Sequence, residues 1–340
     1  MMQPGFFDLN NRYEQLDKLG DPLPKLSALV DWEGFRALLS RIRQKARKSG
    51  SGRKPYDEVL MFKILCLQSF YGLGDDQTEY QIRDRYSFCR FLGLSPEDKV
   101  PDAKTIWVFR EALKEADLID ELFAALDRQI RSAGYRPRKG QIVDASLIAA
   151  PRQRNSREEN AKIKQGEIPE SWKDNPAKLR QKDVDARWTK KNGENYYGYK
   201  NHISIDNQYK MIRHFEVTSA SVHDSQMFPY LVDEANTSKD VWADSAYRSR
   251  RTEAWLKEAG YRSHIHTKGQ SGKPLSDTQQ RANKKRSTVR VRVEHVFATH
   301  KPMVGDVVRT IGYARARVKL GMINIAYNIK RWSTLKQALA

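Results

Sequence analysis

Three acidic residues occupy sequence settings that a carboxylate does not take cheaply. Asp144 lies inside the apolar run "QIVDASLIAA" (141–150), Asp244 closes "VWAD" (241–244), and Glu294 sits in "RVRVEHVF" (290–297). A carboxylate at the end of a buried strand is costly unless a cation or hydrogen bonds compensate it. If the strands carrying Asp144 and Asp244 are neighbours, the two acids repel unless a cation lies between them. Oxygen-only ligation suits a hard divalent ion such as Mg²⁺. Three acids from separated segments could hold two such ions, one activating an attacking oxygen and one a leaving oxygen. Each acid also has an ordinary reading. Asp144 could cap a turn, Asp244 could cap the helix that begins near Arg248, and Glu294 could pair at the surface with Arg290 or Arg292.

The elements that must position these residues follow from periodicity. Residues 1–30 read as a loose lead-in, and 31–135 as helical. Phe35, Leu38, Leu39 and Ile42 recur at three- and four-residue spacing, up to a basic hinge "SGSGRKP" (49–55). A mostly buried helix follows, closed by Gly72 and Gly74, and Asp102 is set to cap a later one. "PDAKTIWVFRE" is a candidate for the second helix of a helix-turn-helix, with a dimerisation bundle as the alternative. Near residue 140 the texture becomes β-like. Strands are expected at 141–150, 198–206, 210–220, 240–247 and 261–268, the second and third forming a hairpin. Helices are expected at 225–235 and 248–260, from about Thr288, and in a terminal segment starting near Gly312. This order predicts an α/β mixed sheet with helices packed on it, preceded by an all-α domain. The boundaries are 1–136 for the helical domain and 137–340 for the sheet domain, with a polar insertion at about 151–195.

The net charge of +19 over 340 residues points to a polyanionic partner, nucleic acid first. Basic residues flank the candidate acids: Arg248, Lys268, Lys273, Arg281, Lys284, Lys285 and Arg286 on one side of Glu294, and Arg309, Arg315, Arg317, Lys319, Lys330 and Arg331 on the other. Cys66 and Cys89 sit among apolar residues and read as core thiols of a reducing compartment. The opening residues lack a signal-peptide core, and the apolar run 59–67 is too short for a bilayer, so a cytoplasmic, nucleoid-associated protein without a membrane role is expected. His264 and His266 share a strand face without an evident third ligand, so a metal role there is disfavoured. Trp172 and Trp188 could stack on an unpaired base or anchor a small cluster.

Taken together, "IVDASLI", "WADSAYRS" and "RVRVEHVFATHK" make the chain resemble DDE transposases of the IS5 family, within the IS4-like group of bacterial insertion-sequence transposases. Arg290, Glu294 and Lys301 match the family signature of three and then six intervening residues. Ser287 stands where the family has Tyr. "YYGYKNHISID" and "TSASVHDSQ" also resemble recurrent segments of the group. The resemblance implies an RNase H-like catalytic domain. It implies Asp144, Asp244 and Glu294 as catalytic metal ligands for two Mg²⁺ ions, with Mn²⁺ as a substitute. Arg290 and Lys301 would bind phosphate, joined by Arg248, Lys284, Lys285 and Arg286, with Tyr247, His223 and Asp224 in support. The implied reaction is cleavage at the ends of an insertion sequence and transfer of the freed 3′-OH into target DNA. Implied partners are double-stranded DNA, with terminal repeats and target, and at least one further copy of the chain. An inactive DNA-binding regulator, or an RNase H-like endonuclease without strand transfer, is the alternative.

Overall fold

In the computed structural model the described residues are 8–43, 54–153, 155–191, 193–269, 272 and 274–338. Most of the basic hinge after Arg43, and Lys273 of the basic run, lie outside them. The chain divides into two compact units, Met1–Gly134 with Ile325–Ala340, and Tyr135–Asn324.

The first unit is helical. Its elements are α1 (Asp8–Lys18), α2 (Leu23–Leu29), α3 (Arg36–Leu39), α4 (Glu58–Tyr71), α5 (Asp75–Asp84), α6 (Tyr86–Leu92), α7 (Ala103–Glu115) and α8 (Ile119–Ser132). The loose lead-in expected before residue 30 is therefore partly helical, and α2 buries Leu23 and Leu26. In α4, Asp57 accepts from the amides of Val59 and Leu60 at the start, and Gly72 at φ +63 ends the helix in the left-handed region. Ten of its fourteen residues are buried, as its near-continuous apolar run requires. Trp32, Phe35, Phe62 and Phe91 form an aromatic cluster with centroids 5.0–6.4 Å apart. Cys66 and Cys89 are both buried in this unit. Asp102 caps α7 by accepting from the Thr105 amide.

The second unit is built on β1 (Gln141–Ala149), β2 (Arg187–Lys191), β3 (Glu194–Asp206), β4 (Ile212–Ser219), β5 (Asp240–Ala243) and β6 (Arg262–Ile265). Spatial order is β4-β3-β1-β5-β6, and β2 pairs with the first residues of β3. The β1–β3 and β3–β4 pairs are antiparallel, while β1–β5 and β5–β6 are parallel. A central strand flanked by an antiparallel hairpin on one side and parallel strands on the other is the RNase H-like arrangement. The parallel strands need crossovers, supplied by α12 (Asp224–Leu231) and α13 (Arg250–Glu258). Phe228, Leu231, Tyr247 and Leu256 pack with Val143, Val241 and Ala243 beneath them.

Between β1 and β2 the polar insertion forms α9 (Arg157–Lys164), α10 (Glu170–Lys173) and α11 (Pro176–Arg180). Trp172 is fully buried and donates its indole N–H to Glu159 at 2.6 Å, so it anchors the insertion and offers no face to a base. Buried Asp183 accepts from the Tyr199 hydroxyl at 2.7 Å and from the Gly312 amide at 3.1 Å. Gly198, at φ +152, lies where β3 passes from β2 to β1, and a Cβ there would sit 2.1 Å from the Ile148 carbonyl oxygen. Only glycine permits that approach.

Two long helices follow, α14 (Asp277–Val304) and α15 (Tyr313–Gln337). α14 starts eleven residues before the expected Thr288, because Ser276 and Gln279 form a reciprocal capping box. Its Arg292 donates to the Asn207 carbonyl at 3.0 Å and to the Asn207 side chain. Asn207 is itself held to the backbone of Lys139 and Gly140 just ahead of β1. These bonds fix α14 to the β1 side of the sheet. Among the described residues no helix is long and apolar enough to cross a membrane.

Candidate active site

The sheet register brings the two aspartates together. The parallel β1–β5 ladder runs Gln141↔Val241, Ile142↔Trp242, Val143↔Ala243, and the next residue on each strand is Asp144 and Asp244. β5 is shorter than its expected 240–247 and ends at Ala243, where Ser245–Tyr247 turn into a 3-10 helix. Asp244 caps that turn, accepting from the Ser245 amide at 2.5 Å, while Ser249 caps α13. The cap reading of Asp244 is thus correct in kind but falls on the turn, leaving its other oxygen for the cleft. Asp144 is 8% exposed, and one of its oxygens accepts from the Ala145 amide at 2.8 Å.

α14 supplies the third acid and a cation. Arg290 donates from Nε and Nη2 to the second oxygen of Asp144, at 3.2 and 3.1 Å. The same guanidinium reaches Asp244 at 3.9 Å and Glu294 at 3.6 Å. It therefore stands among the three acids. Burial pushes the Asp144 carboxyl up to about 6, against the downward pull of Arg290. Burial opposes the charge on Arg290, but Asp144 and Asp244 outweigh it and raise its pKa. Among the described residues no three His, Cys, Asp or Glu side chains gather tightly enough to hold a metal as they stand. The donor set nevertheless fits a hard divalent cation: three carboxylates converge on one cleft, with only Arg290 between them as countercharge.

The cleft, of about 460 Å³, is lined by Asp144, Asp244, Glu294, Arg290, His223 and Asp224, and also by residues the sequence did not single out. Those are Thr189, Lys190 and Lys191 of β2, Lys200 of β3, and Phe297 of α14. Lys200 donates to the Val222 carbonyl at 2.7 Å and to Asp224 at 2.8 Å. His223, and not Asp224, caps α12, by accepting from the Ser225 amide. Tyr247 is fully buried against Phe228, with its hydroxyl unpartnered; burial, then the nearby carboxylates, raises its pKa well above the usual value. It packs the floor and cannot reach solvent.

Other expected residues lie outside this cleft. Lys301 falls two helical turns beyond Glu294 on the same stripe of α14 and is exposed. Arg248 is tied to the Ile265 carbonyl, Thr267 and Glu253, and Arg286 to Thr267 and Asn283. Lys284 and Lys285 are exposed on the first half of α14. His264 stacks on Trp242 at 4.7 Å and hydrogen-bonds Asp240, and His266 meets Ser287 at 3.4 Å. Trp188 is 45% exposed beside Tyr197.

An RNase H-like sheet with two aspartates at adjacent strand ends and a glutamate on the following helix defines the class of DDE nucleic-acid enzymes. Residues 135–329, more than half of the chain, match the family described as "Transposase DDE domain", and residues 10–112 match "Transposase domain (DUF772)". The chain belongs to the DDE transposase family. Among solved structures it is similar to piggyBac transposase in a synaptic complex with hairpin DNA, at 13% identity and a TM-score of 0.44, covering 92% of this chain and 74% of that one.

Proposed function

We propose that this transposase belongs to the IS5 family, cuts double-stranded DNA at the ends of its insertion sequence and joins the freed 3′-OH to target DNA. The observation that carries this is the placement of Asp144 and Asp244 one step beyond the β1–β5 ladder, with Glu294 and Arg290 of α14 over them. In the first step a water oxygen bonds to phosphorus and the 3′ oxygen leaves with a proton. In the second that 3′-OH attacks a target phosphorus and displaces the target's own 3′ oxygen. Asp144, Asp244 and Glu294 would hold two Mg²⁺ ions, replaceable by Mn²⁺. Bound there, the ions would stabilise charge on the attacking and leaving oxygens. Arg290 would exchange its carboxylates for phosphate oxygens near the cut, neutralising charge in the transition state. Asp224 holds the Lys200 ammonium at the cleft wall, and Tyr247 and Phe297 keep the floor apolar. Lys301, Lys284 and Lys285 would follow the DNA backbone along α14, with Arg248 and Arg286 placed beside it around Thr267. The helical unit would bind element ends, pair subunits, or both, in at least a dimer, and the protein would work in the bacterial cytoplasm.

The deciding experiment is cleavage of labelled DNA carrying the element's ends, with Mg²⁺ or Mn²⁺, comparing wild type with Asp244→Asn. Metal-dependent nicking at the end that is lost in the variant, with DNA binding kept, is expected. End binding without cutting under either metal would make the protein a regulator. Cutting without strand joining would make it a nuclease.

A further inference from the structure

The cations of the acid cleft fall into two groups. Arg290 spends its hydrogen bonds on Asp144, and Lys200 spends its own on Val222 and Asp224. Lys190 and Lys191 line the same cleft and are exposed, and their ammonium groups make no hydrogen bond or ion pair with any described residue. They arrive on β2, which pairs with β3 alone. Lysine on an edge strand has a plain use, since its charge discourages a second strand from pairing there. Two observations go beyond that use. Edge protection asks only for an outward charge, yet Thr189, Lys190 and Lys191 line the cleft that holds the acids. In the metal-free cleft the charge count also needs them. The cleft carries four carboxylates, on Asp144, Asp224, Asp244 and Glu294, against the two committed cations. A polyanionic strand entering that cleft would be repelled, and two uncommitted ammonium groups bring it to balance.

We propose that Lys190 and Lys191 form a phosphodiester-binding track on the β2 wall, holding backbone phosphates that flank the reacting one. They bind and position, and do not act on the reacting atoms. The inference rests on the DNA-cleaving reading given above, and adds that the insertion belongs to the substrate site. Lysine is suited to the task because its ammonium is a compact charge that follows a phosphate without demanding base identity.

The test is binding of fluorescein-labelled DNA duplex to the full chain in EDTA, over a series of salt concentrations. Lys190→Ala/Lys191→Ala is compared with wild type and with Lys164→Ala, an insertion lysine that does not line the cleft. Each lost phosphate contact lowers the log–log salt slope by about 0.9. The double variant should show a slope shallower by about two and roughly tenfold weaker binding at 100 mM salt. The loss should be equal for element-end and random sequences, and Lys190→Arg/Lys191→Arg should restore it. In the cleavage assay KM should rise with kcat nearly unchanged. If the double variant fails to fold, Lys190→Gln and Lys191→Gln are measured singly, each expected to remove about one from the slope. A wild-type slope in the charge-removed variants overturns the track while leaving the DNA reading intact. Absence of DNA binding by wild type overturns both.

Discussion

Arg290 donates two hydrogen bonds, at 3.2 and 3.1 Å, to a single carboxylate oxygen of Asp144. The other oxygen of Asp144 is taken by a backbone amide, so the buried carboxylate is compensated by one cation. That cation also lies within ion-pair distance of Asp244 and Glu294. Compensation of the acids and access to them are therefore governed by the same side chain.

Replacing Arg290 by Gln should leave Asp144 buried without its countercharge. Breaking one side of a buried pair costs about 3–5 kcal/mol. At pH 8 the variant's melting temperature should fall accordingly. Lowering the pH to 5, which protonates Asp144, or adding Mn²⁺, should return most of the loss. A variant equally unstable at pH 5 and pH 8, and insensitive to Mn²⁺, would show that Arg290 supports the fold in some other way.

Stability should decline toward acid pH because of two histidines. Burial holds His202 and His300 down to about 4. Unfolded, each would titrate near 6.5, so between those values the unfolded chain binds more protons and stability drops as pH falls from 6.5 to 4. The full effect is about 3 kcal/mol per histidine. Asp144 acts in the opposite sense. Its folded value of about 6 lies above its unfolded one, so protonation gains stability as pH falls through that range. Burial also raises Asp206, which acts in the same sense as Asp144, so the two carboxyls offset part of the histidine loss. Urea midpoints at pH 7.5 and 4.5 read it, and His202→Gln should narrow the gap between them whatever its absolute stability.

Gly198→Ala should be among the most damaging single changes in the sheet domain. The new methyl would meet the Ile148 carbonyl at 2.1 Å and take a φ of +152 that side chains avoid. A cost above about 3 kcal/mol is expected from backbone strain and displacement of β1. Circular dichroism melts against a neighbouring control, Tyr196→Phe at the half-buried start of β3, would read it. Equal melting temperatures would mean that the crossing relaxes freely.

Much of the site was legible because local signals carry it. The apolar steps into Asp144 and Asp244 mark strand ends, and the alternation of strands and helices allows β1 a parallel neighbour, which is β5. The Arg290, Glu294 and Lys301 spacing falls on one helical stripe. The seat of Arg290 among the acids was not legible, because it depends on the crossing of α14 over β1, pinned by an arginine–asparagine contact 85 residues apart. Nor were Lys190 and Lys191, whose strand β2 lies inside the polar insertion and has no apolar alternation to mark it. The early start of α14 was missed because its first turns have no apolar face, although Ser276 and Gln279 carry a capping-box pattern. α1 is polar enough to read as coil for the same reason.

The insertion leaves the sheet after Ala149, and the strand that follows it, β3, pairs opposite that point at Gly198. Its two ends are thus stapled by the ladder itself. Closing a longer or shorter excursion between them changes the chain entropy only slowly, by about 0.6 kcal/mol per doubling of length. The segment can therefore grow, shrink or exchange its helices while Asp144 stays where β1 puts it. In such a layout topology holds the acids in place, and the surface of the insertion is left free to drift.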